Sequence, residues 1–452
     1  MSLTAGVART SITPFWGVEL TGWGYYIERT WQRVHDDLNA TALVLDDGNS
    51  PLVILSLDLM VISTEFTNDV RERVYEATGI PPSHVLVACT HTHNAPSAGG
   101  LLGGGEVDPD YEAWAAKQAA TAVILAWRNR EPARATTSQG NLAGCTFNRT
   151  RENGPVDPKV TTLRVDRTDG SPLGMVVNFQ AHPTVHTKLR PFDVTRDVPG
   201  EVCDIIEAAL PGVTALYLQG ACGDVNFLRE FSTPERCREP ARLVAGLAMA
   251  AQATAVPLIE PKLAAVSESV RIPTRRWTRE EMDGDRDEAQ QRLQNEDMAG
   301  WKRSIGRVMT NNPADMVARH GGDEWKAVRA MCRFNLAWTY DMRIDWETRP
   351  EWLETEIQAV RIGKLAIVTN ASEFFSGLSL DVRNRSREDH LMISGYTNGR
   401  IGYMPDAHDV AAKSYAAYQS PKYCNQFPFT AESGQVMCDA MVKLVEQTRH
   451  NS

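Results

Sequence analysis

The chain has 452 residues, a hydrophobic fraction of 42% and a formal net charge of −10 at pH 7. This length and composition are typical of a globular protein with a sizeable core, and they exclude an intrinsically disordered chain. The acidic balance argues against nucleic acid or an anionic membrane surface as a partner. The eight cysteines include no Cys-x-x-Cys pair, which indicates reduced thiols rather than disulfides or a structural zinc site.

Neither a leader nor a membrane span is evident in the sequence. Residues 1–10 lack the basic start and the apolar stretch of a secretion signal. No apolar run reaches the ~18 residues that are needed to cross a bilayer. We therefore expect a cytoplasmic protein without integral membrane contact. The oligomeric state stays open, with a homo-oligomer as one option.

Apolar, β-branched segments alternate with helical patterns, which predicts an α/β fold. Residues 52–61 are typical of a buried strand, followed by a helix over 63–78 that Gly79 closes. A second strand is predicted over 84–89 and an alanine-rich amphipathic helix over 111–127. Further strands are predicted at 174–181, 215–219, 365–369 and 391–394, and further helices near 199–210 and 234–253.

The segment 275–352 differs from the rest because it is highly charged, has helical patterning and is rich in tryptophan. It predicts an inserted helical segment in a fold whose core is a mixed β-sheet flanked by helices. Its tryptophans either pack the helices together or give a substrate an aromatic surface. They are Trp277, Trp301, Trp325, Trp338, Trp346 and Trp352.

Two histidines leave the strand predicted at 84–89. His91 and His93 are two positions apart, so both side chains can face one site, and imidazole is the commonest zinc ligand. A second predicted strand ends at His182. His186 follows four residues later, but Pro183 and the lack of a glutamate after His182 exclude a metalloprotease helix. We interpret His186 as a loop residue or a neighbour of the ligands.

Two carboxylates also follow predicted strands. Asp224 lies in a run of small residues after the strand at 215–219, where it could orient a ligand histidine or cap its own loop. Glu373 lies just beyond the strand at 365–369 and is flanked by aromatic residues. A buried carboxylate there requires a partner, either a metal ion or an arginine.

Taken together and in this order, the motifs resemble the neutral (non-lysosomal) ceramidases, a family of zinc amidases, and the chain looks like a short member of bacterial type. The likeness extends over residues 5–440. It rests on Ala5-Gly-Val-Ala-Arg-Thr-Ser-Ile-Thr-Pro, Thr90-His-Thr-His93, Phe147-Asn-Arg149-Thr, Phe179-Gln-Ala-His182, Gly223-Asp-Val and Ser372-Glu373-Phe.

The resemblance implies a role for individual residues. His91, His182 and Glu373 would bind zinc, with Tyr403 on the metal or close to it. His93 would act as the general base or acid. Arg149 and Tyr415 would hold and polarise the substrate carbonyl; the spacing of Tyr403 and Tyr415 agrees with that of the two functional tyrosines of the family.

Two departures from the family pattern limit these inferences. Asn226 stands where the family has a serine, so a serine nucleophile is excluded there and the zinc-water mechanism is untouched. The chain also ends soon after the region of resemblance. We therefore expect one ceramidase-like catalytic domain over 1–452, with 275–352 as a helical insertion or lid and no carboxy-terminal sandwich domain.

The implied function is that of a zinc-dependent amidohydrolase, which cleaves an N-acyl bond by attack of zinc-bound hydroxide. Its partner would be a small, soluble amide rather than ceramide, and not a nucleic acid. The alternatives are a zinc-dependent esterase or lactonase, an iron oxygenase with a similar ligand set, and a non-catalytic binding protein on the same fold.

Overall fold

The computed structural model describes residues 3–23, 28–296, 317 and 320–450; Trp301 lies outside these ranges. Strands β1 to β19 are, in chain order, Thr4–Ser11, Arg33–Val34, Asn39–Asp46, Leu52–Leu57, Val85–Cys89, Glu131–Asn141, Thr146–Asn148, Lys159–Arg167, Pro172–Phe179, Asp193–Val194, Thr214–Gln219, Val225–Phe227, Val256–Leu258, Leu263–Pro273, Trp352–Ile362, Leu365–Thr369, Glu373–Phe374, His390–Ser394 and Tyr403–Met404. Helices α1 to α11 are Thr64–Thr78, Pro109–Arg128, Val185–Leu189, Asp197–Ala209, Glu239–Ala250, Arg279–Asn295, Glu324–Asp345, Ser376–Ser386, Ala407–Ala411, Ser420–Tyr423 and Ser433–His450, and a π-helical turn spans Tyr415–Gln419.

Two sheets form the centre of the fold. The larger has the strand order β11-β9-β8-β6-β1-β3-β4-β5, with β13 paired to β6. Its outer pairs, β11 with β9 and β4 with β5, are parallel, and the pairs between them are antiparallel. The smaller sheet has the order β14-β15-β16-β18, of which only β16 and β18 run parallel. Both sheets are therefore mixed.

Side-chain alternation along the strands explains how the layers stack. On β3, Leu43 and Leu45 join a core shared with Ile367 of the smaller sheet. Their neighbours Ala42 and Val44 face the opposite way and pack with α1 and α2. Helices α4 and α5 cover the same outer face near β9 and β11, while α8 and α11 cover the outer face of the smaller sheet. The fold is an α-β-β-α arrangement, and the predicted fold class is confirmed.

Local chemistry defines the boundaries of the first predicted helix. The Ser63 side chain accepts a hydrogen bond from the Phe66 amide at 3.0 Å, and Gly79 closes α1 at φ +76°. The strand predicted at 52–61 is shorter than expected and ends at Leu57. The chain turns there because the carbonyls of Leu59 and Met60 accept hydrogen bonds from His91 instead of continuing the ladder.

In the described part of the segment 275–352, the predicted helical insertion is confirmed by α6 and α7, which lie between β14 and β15 in the chain. The rings of Trp277 and Trp338 are fully buried, with their centroids 5.3 Å apart, where α6 and α7 meet. These two tryptophans pack the insertion together, as one of the two interpretations predicted. All eight cysteines are free thiols. None of the described helices combines the length and the apolar composition that crossing a bilayer requires.

Candidate metal centre

Three imidazoles converge at the ends of two strands of the larger sheet. His91 follows β5 and His182 follows β9, and their Nε2 atoms are 3.2 Å apart. His93 brings its own Nε2 atom to 3.3 Å from that of His91. Two nitrogens that bind the same ion at the usual length of about 2.1 Å lie at such separations. His91 and His182 are fully buried, so these nitrogens are shielded from bulk water.

A backbone carbonyl fixes the tautomer of each ring. The Nδ1 atom of every one of the three histidines lies within hydrogen-bonding distance of a carbonyl oxygen, which can only accept. Nδ1 therefore carries the proton, and Nε2 of the neutral ring is left with a free lone pair. The acceptors are Met60 for His91 at 2.9 Å, Gly22 for His93 at 2.7 Å and Cys222 for His182 at 2.6 Å.

Glu373 completes the cluster from the smaller sheet. Its Oε2 atom lies 3.4 Å from Nε2 of His91 and 3.3 Å from Nε2 of His182. This buried oxygen has no hydrogen-bond donor among the described residues. A carboxylate oxygen thus faces two nitrogens that have no proton to donate, an arrangement that repels unless a cation lies between the groups. The donor set fits a divalent metal ion.

The electrostatic environment keeps the ligand atoms in the form that binds metal. Burial, together with the neighbouring Arg149 and His91, lowers the pKa of His182 to about 3. Burial also lowers the pKa of His93 well below its ordinary value. For Glu373 burial raises the pKa of the carboxyl, whereas positive charge held at His91 and His182 lowers it well below its usual range. Neutral imidazoles and an ionised carboxylate are the forms that bind metal.

Backbone strain and ring stacking orient His91. Its φ of +66° lies in the left-handed region, which a histidine adopts only when its surroundings enforce it. The ring stacks on Tyr396 at a centroid distance of 3.8 Å, and the hydroxyl of Tyr396 lies 2.9 Å from the thiol of Cys222. Sequence reasoning missed Tyr396. No motif signals it, because its position depends on the crossing from β18 back to β5.

Arg149 lies beside the cluster, directly after β7. Its guanidinium donates to the hydroxyl of Tyr403 at 2.8 Å and to the carbonyl of Gly223 at 2.8 Å. Burial, followed by the proximity of Glu373, keeps the pKa of Tyr403 well above its ordinary value despite Arg149, so the phenol stays protonated. Tyr415 packs edge-on against Tyr403 with a centroid distance of 5.8 Å. All seven residues predicted for the site therefore lie in one region.

A cleft of about 620 Å³, partly open to solvent, leads to the cluster. His93 and Glu373 line it, whereas His91 and His182 lie behind them. The remaining wall is mainly aromatic and aliphatic and comes from several loops. It includes Trp23, Met60, Val61, Leu101, Tyr396, Tyr403, Tyr415 and Tyr423.

Two other residues that the sequence analysis singled out, His186 and Asp224, make their contacts outside the metal-ligand set. His186 pairs with Glu201, with Nε2 and Oε2 separated by 3.4 Å, in agreement with a place outside the ligand set. The carboxylate of Asp224 accepts hydrogen bonds from the amide of Ser376 at 2.7 Å and from the side chain of Asn148 at 2.6 Å. It therefore caps the start of α8 and holds the segment that carries Arg149, instead of orienting a ligand histidine.

Solved structures of known proteins share this architecture over the whole chain. The neutral ceramidase from Pseudomonas aeruginosa matches with a TM-score of 0.73 and 17% identity, and the match covers 100% of this chain and 75% of that one. A ceramidase complexed with C2 matches with a TM-score of 0.73 and 16% identity, covering 100% and 76%. No protein-family model matches the sequence. The resemblance is thus confirmed in three dimensions, and this chain has the fold of the neutral ceramidases.

Proposed function

We propose that the chain is a zinc-dependent amidohydrolase that cleaves an N-acyl bond of a small, soluble substrate. The observation that carries the proposal is the convergence of unprotonated imidazole nitrogens on one buried oxygen of Glu373. The likeness of the fold to that of ceramidases supports an amide as the bond that is cleaved.

His91, His182 and Glu373 would hold the ion, with the hydroxyl of Tyr403 beside them. Nitrogen and carboxylate donors in a compact set suit zinc better than calcium or magnesium, which prefer oxygen. The chemistry supplied by zinc in such a site would be a water with a pKa of ~7 and the polarisation of a carbonyl oxygen. Such an ion needs a position open to substrate, and the adjoining cleft provides it.

His93 would move the proton. It is the histidine of the cluster that lines the cleft, and Gly22 holds its Nδ1 proton in place. With His91, His182 and Glu373 as the ligands that the family resemblance implies, its Nε2 atom would be left to accept a proton from the attacking water and to deliver it to the departing nitrogen. Burial lowers its pKa, so the ring is neutral at physiological pH; a general base is most effective with a pKa near that pH, and positioning would have to offset the lowered basicity. A well-placed general base contributes about 10²- to 10⁴-fold to the rate.

Arg149, Tyr403 and Tyr415 would stabilise the carbonyl oxygen as charge develops on it. Arg149 and Tyr403 form one hydrogen-bonded unit, and burial keeps the pKa of both tyrosines well above the ordinary value. The phenols can therefore donate hydrogen bonds throughout the neutral range. Donors fixed before the reaction stabilise an oxyanion without reorganising.

The shape of the cleft supports a compact substrate. The cavity that it encloses measures only about 70 Å³, below the usual range of sites for drug-sized molecules, so a compact substrate fits it better than a bulky one. Its aromatic walls favour a substrate with a flat or aliphatic portion over a fully hydrated one.

The test compares metal content and turnover of histidine variants. We expect His91→Ala to lose both zinc and activity, and His93→Ala to keep zinc while losing at least about 10²-fold in kcat. His84→Ala is the matched control, because its ring bonds the Pro51 carbonyl at the start of β5, and it should keep both. An active His91→Ala protein without zinc would refute the proposal. Matched amide and ester substrates then separate an amidase from an esterase or lactonase.

A further inference from the structure

The cleft contains a charged residue that the proposed reaction does not use. Among the described residues that line it, His93 and Glu373 belong to the metal centre, and Arg400 is the remaining side chain with a formal charge. The rest of the wall is neutral and mostly apolar. A positive charge in such surroundings strongly favours an anionic group on whatever fills the cleft.

Two carbonyl groups of the glycine-rich loop hold the guanidinium of Arg400 in one orientation. Its Nε atom donates to the carbonyl of Gly99, and its Nη2 atom donates to that of Gly100 at 2.9 Å. These two hydrogen bonds use the Nε–Nη2 edge of the planar guanidinium. The side chain also contacts the thiol of Cys424. The guanidinium has five N–H donors in a planar arrangement, so a carboxylate on the substrate can replace this weak acceptor and bind through two oxygens.

Arg400 is also close in sequence to a residue of the metal centre. It precedes Tyr403 by three positions, and Tyr403 is the direct strand partner of Glu373. Three residues span at most about 11 Å. Arg400 and Glu373 also line the same cleft, so one molecule in that cleft can contact both.

Arg400 further lies where two clefts meet. With Cys424 it lines both the cleft of the metal centre and an outer cleft of about 930 Å³. A group bound to Arg400 would thus have room to extend outward.

We propose that Arg400 binds a carboxylate on the substrate, so that the chain prefers amides that carry a carboxylate a few bonds from the scissile bond. This inference rests on the proposed function and names its substrate class. It also distinguishes the chain from an enzyme for uncharged lipid amides. The carboxylate could belong to the amine part, as in an N-acyl amino acid, or to the acyl part, as in a dicarboxylic acid monoamide.

Matched substrates that differ only in the carboxylate test the proposal. One pair tests a carboxylate on the amine part and consists of N-acetyl-L-phenylalanine and its neutral partner N-acetyl-2-phenylethylamine. The other pair tests a carboxylate on the acyl part and consists of N-benzylsuccinamic acid and its neutral partner N-benzylbutanamide. We expect the zinc-loaded protein to prefer the acid of one pair by about tenfold to a hundredfold in kcat/KM. Arg400→Gln should lower kcat/KM for the acid by at least about tenfold more than for its neutral partner, with Arg400→Lys in between.

Arg349→Gln is the control, because Arg349 lines only the outer cleft and pairs with Asp345; it should keep the preference. Equal losses on acid and neutral substrates in Arg400→Gln would mean that Arg400 only shapes the loop, and would overturn the proposal. So would a wild-type protein that cleaves amides without any preference for carboxylates.

A binding measurement separates this inference from the proposed function. In the His93→Ala background, calorimetry with N-acetyl-L-phenylalanine and N-acetyl-2-phenylethylamine requires no turnover. We expect tighter binding of the acid, and Arg400→Gln should weaken it by at least about tenfold. Equal binding of both compounds would overturn the role of Arg400, whereas selective binding would uphold it even if no amide were ever cleaved.

Discussion

Glu373 and Tyr403 are direct partners in the short parallel ladder between β17 and β19. Side chains of directly paired residues project from the same face of a sheet, so the phenol lies beside the carboxylate without depending on a flexible loop. Two segments that are distant in the chain thereby bring an acid and a hydroxyl to the same cluster.

Replacing Tyr403 with Phe tests that pairing. The ring stays, but the hydroxyl that accepts from Arg149 is lost. We expect unchanged folding and retained zinc at saturating metal, with kcat lower by about 10²- to 10³-fold, as for the loss of one oxyanion donor. Tyr75→Phe, at a side chain that is 55% exposed, should be neutral. Wild-type kcat in Tyr403→Phe would remove Tyr403 from the chemistry.

Gly22 offers a test of how His93 is positioned. A Cβ atom at Gly22, where φ is +106°, would lie 2.7 Å from Cβ of His93. Gly17 has a similar φ of +101° and open space around it, so Gly17→Ala adds the same backbone strain without the clash. Both variants should lose about 1–3 kcal/mol of stability. Only Gly22→Ala should also lose about 10²-fold in kcat/KM, because displacing a catalytic group by about 1 Å costs that much.

Denaturant titrations and steady-state kinetics measure the two effects separately. A Gly22→Ala protein as active as Gly17→Ala would show that His93 tolerates displacement.

Asp58 should make stability depend on pH. Burial raises its pKa to about 6, compared with ~3.9 in an unfolded chain. At a pH between these two pKa values, Asp58 keeps its proton in the folded chain and releases it in the unfolded chain. The contribution of Asp58 to the free energy of unfolding therefore falls as the pH rises from about 4 to about 6. The change amounts to at most about 3 kcal/mol. Urea titrations should show that Asp58→Asn lacks this decrease; parallel pH profiles of variant and wild type would contradict it.

Lys422 anchors the helical insertion to the wall of the cleft. Its buried ammonium contacts Asp285 of α6 at 2.5 Å and lies 4.4 Å from the ring centroid of Tyr418. Lys422→Met should cost about 1.5–3 kcal/mol, because it leaves the half-buried carboxylate of Asp285 with the indole N–H of Trp338 as its remaining hydrogen-bond donor. The double variant Lys422→Met, Asp285→Asn should recover most of that loss.

The exposed pair of Lys443 and Glu268, with side chains 54% and 42% exposed, provides the control. Lys443→Met should cost under about 1 kcal/mol. Equal losses from the two lysine variants, measured by urea unfolding, would mean that the pair with Asp285 does not hold the insertion.

The sequence predicted elements well where hydrophobic periodicity and end signals agree. The helix over 63–78 matches α1, because Ser63 and Gly79 are unambiguous boundaries. The strand over 365–369 coincides with β16, since an apolar run surrounded by polar residues is typical of a buried strand.

Other elements could not be predicted because their signal is not local. Strand β6 includes the polar run Thr136, Thr137 and Ser138, which is stabilised by pairing with β8 rather than by its own composition. In the candidate site, the sequence identified side chains with intrinsic chemistry. It could not identify Tyr396, whose contribution is a stacking contact, or the carbonyl groups that hold the three imidazole protons, since every residue has a carbonyl.

Those carbonyl groups have an electrostatic consequence. Where carboxylates support ligand histidines, each adds negative charge around the ion. Here the supporting groups are uncharged dipoles, so Glu373 is the single anion among the inner groups, and a divalent ion would leave the assembly with a surplus of one positive charge. Such a centre withdraws electrons more strongly from a bound carbonyl and attracts anions, including simple buffer carboxylates, which we expect to compete with the substrate.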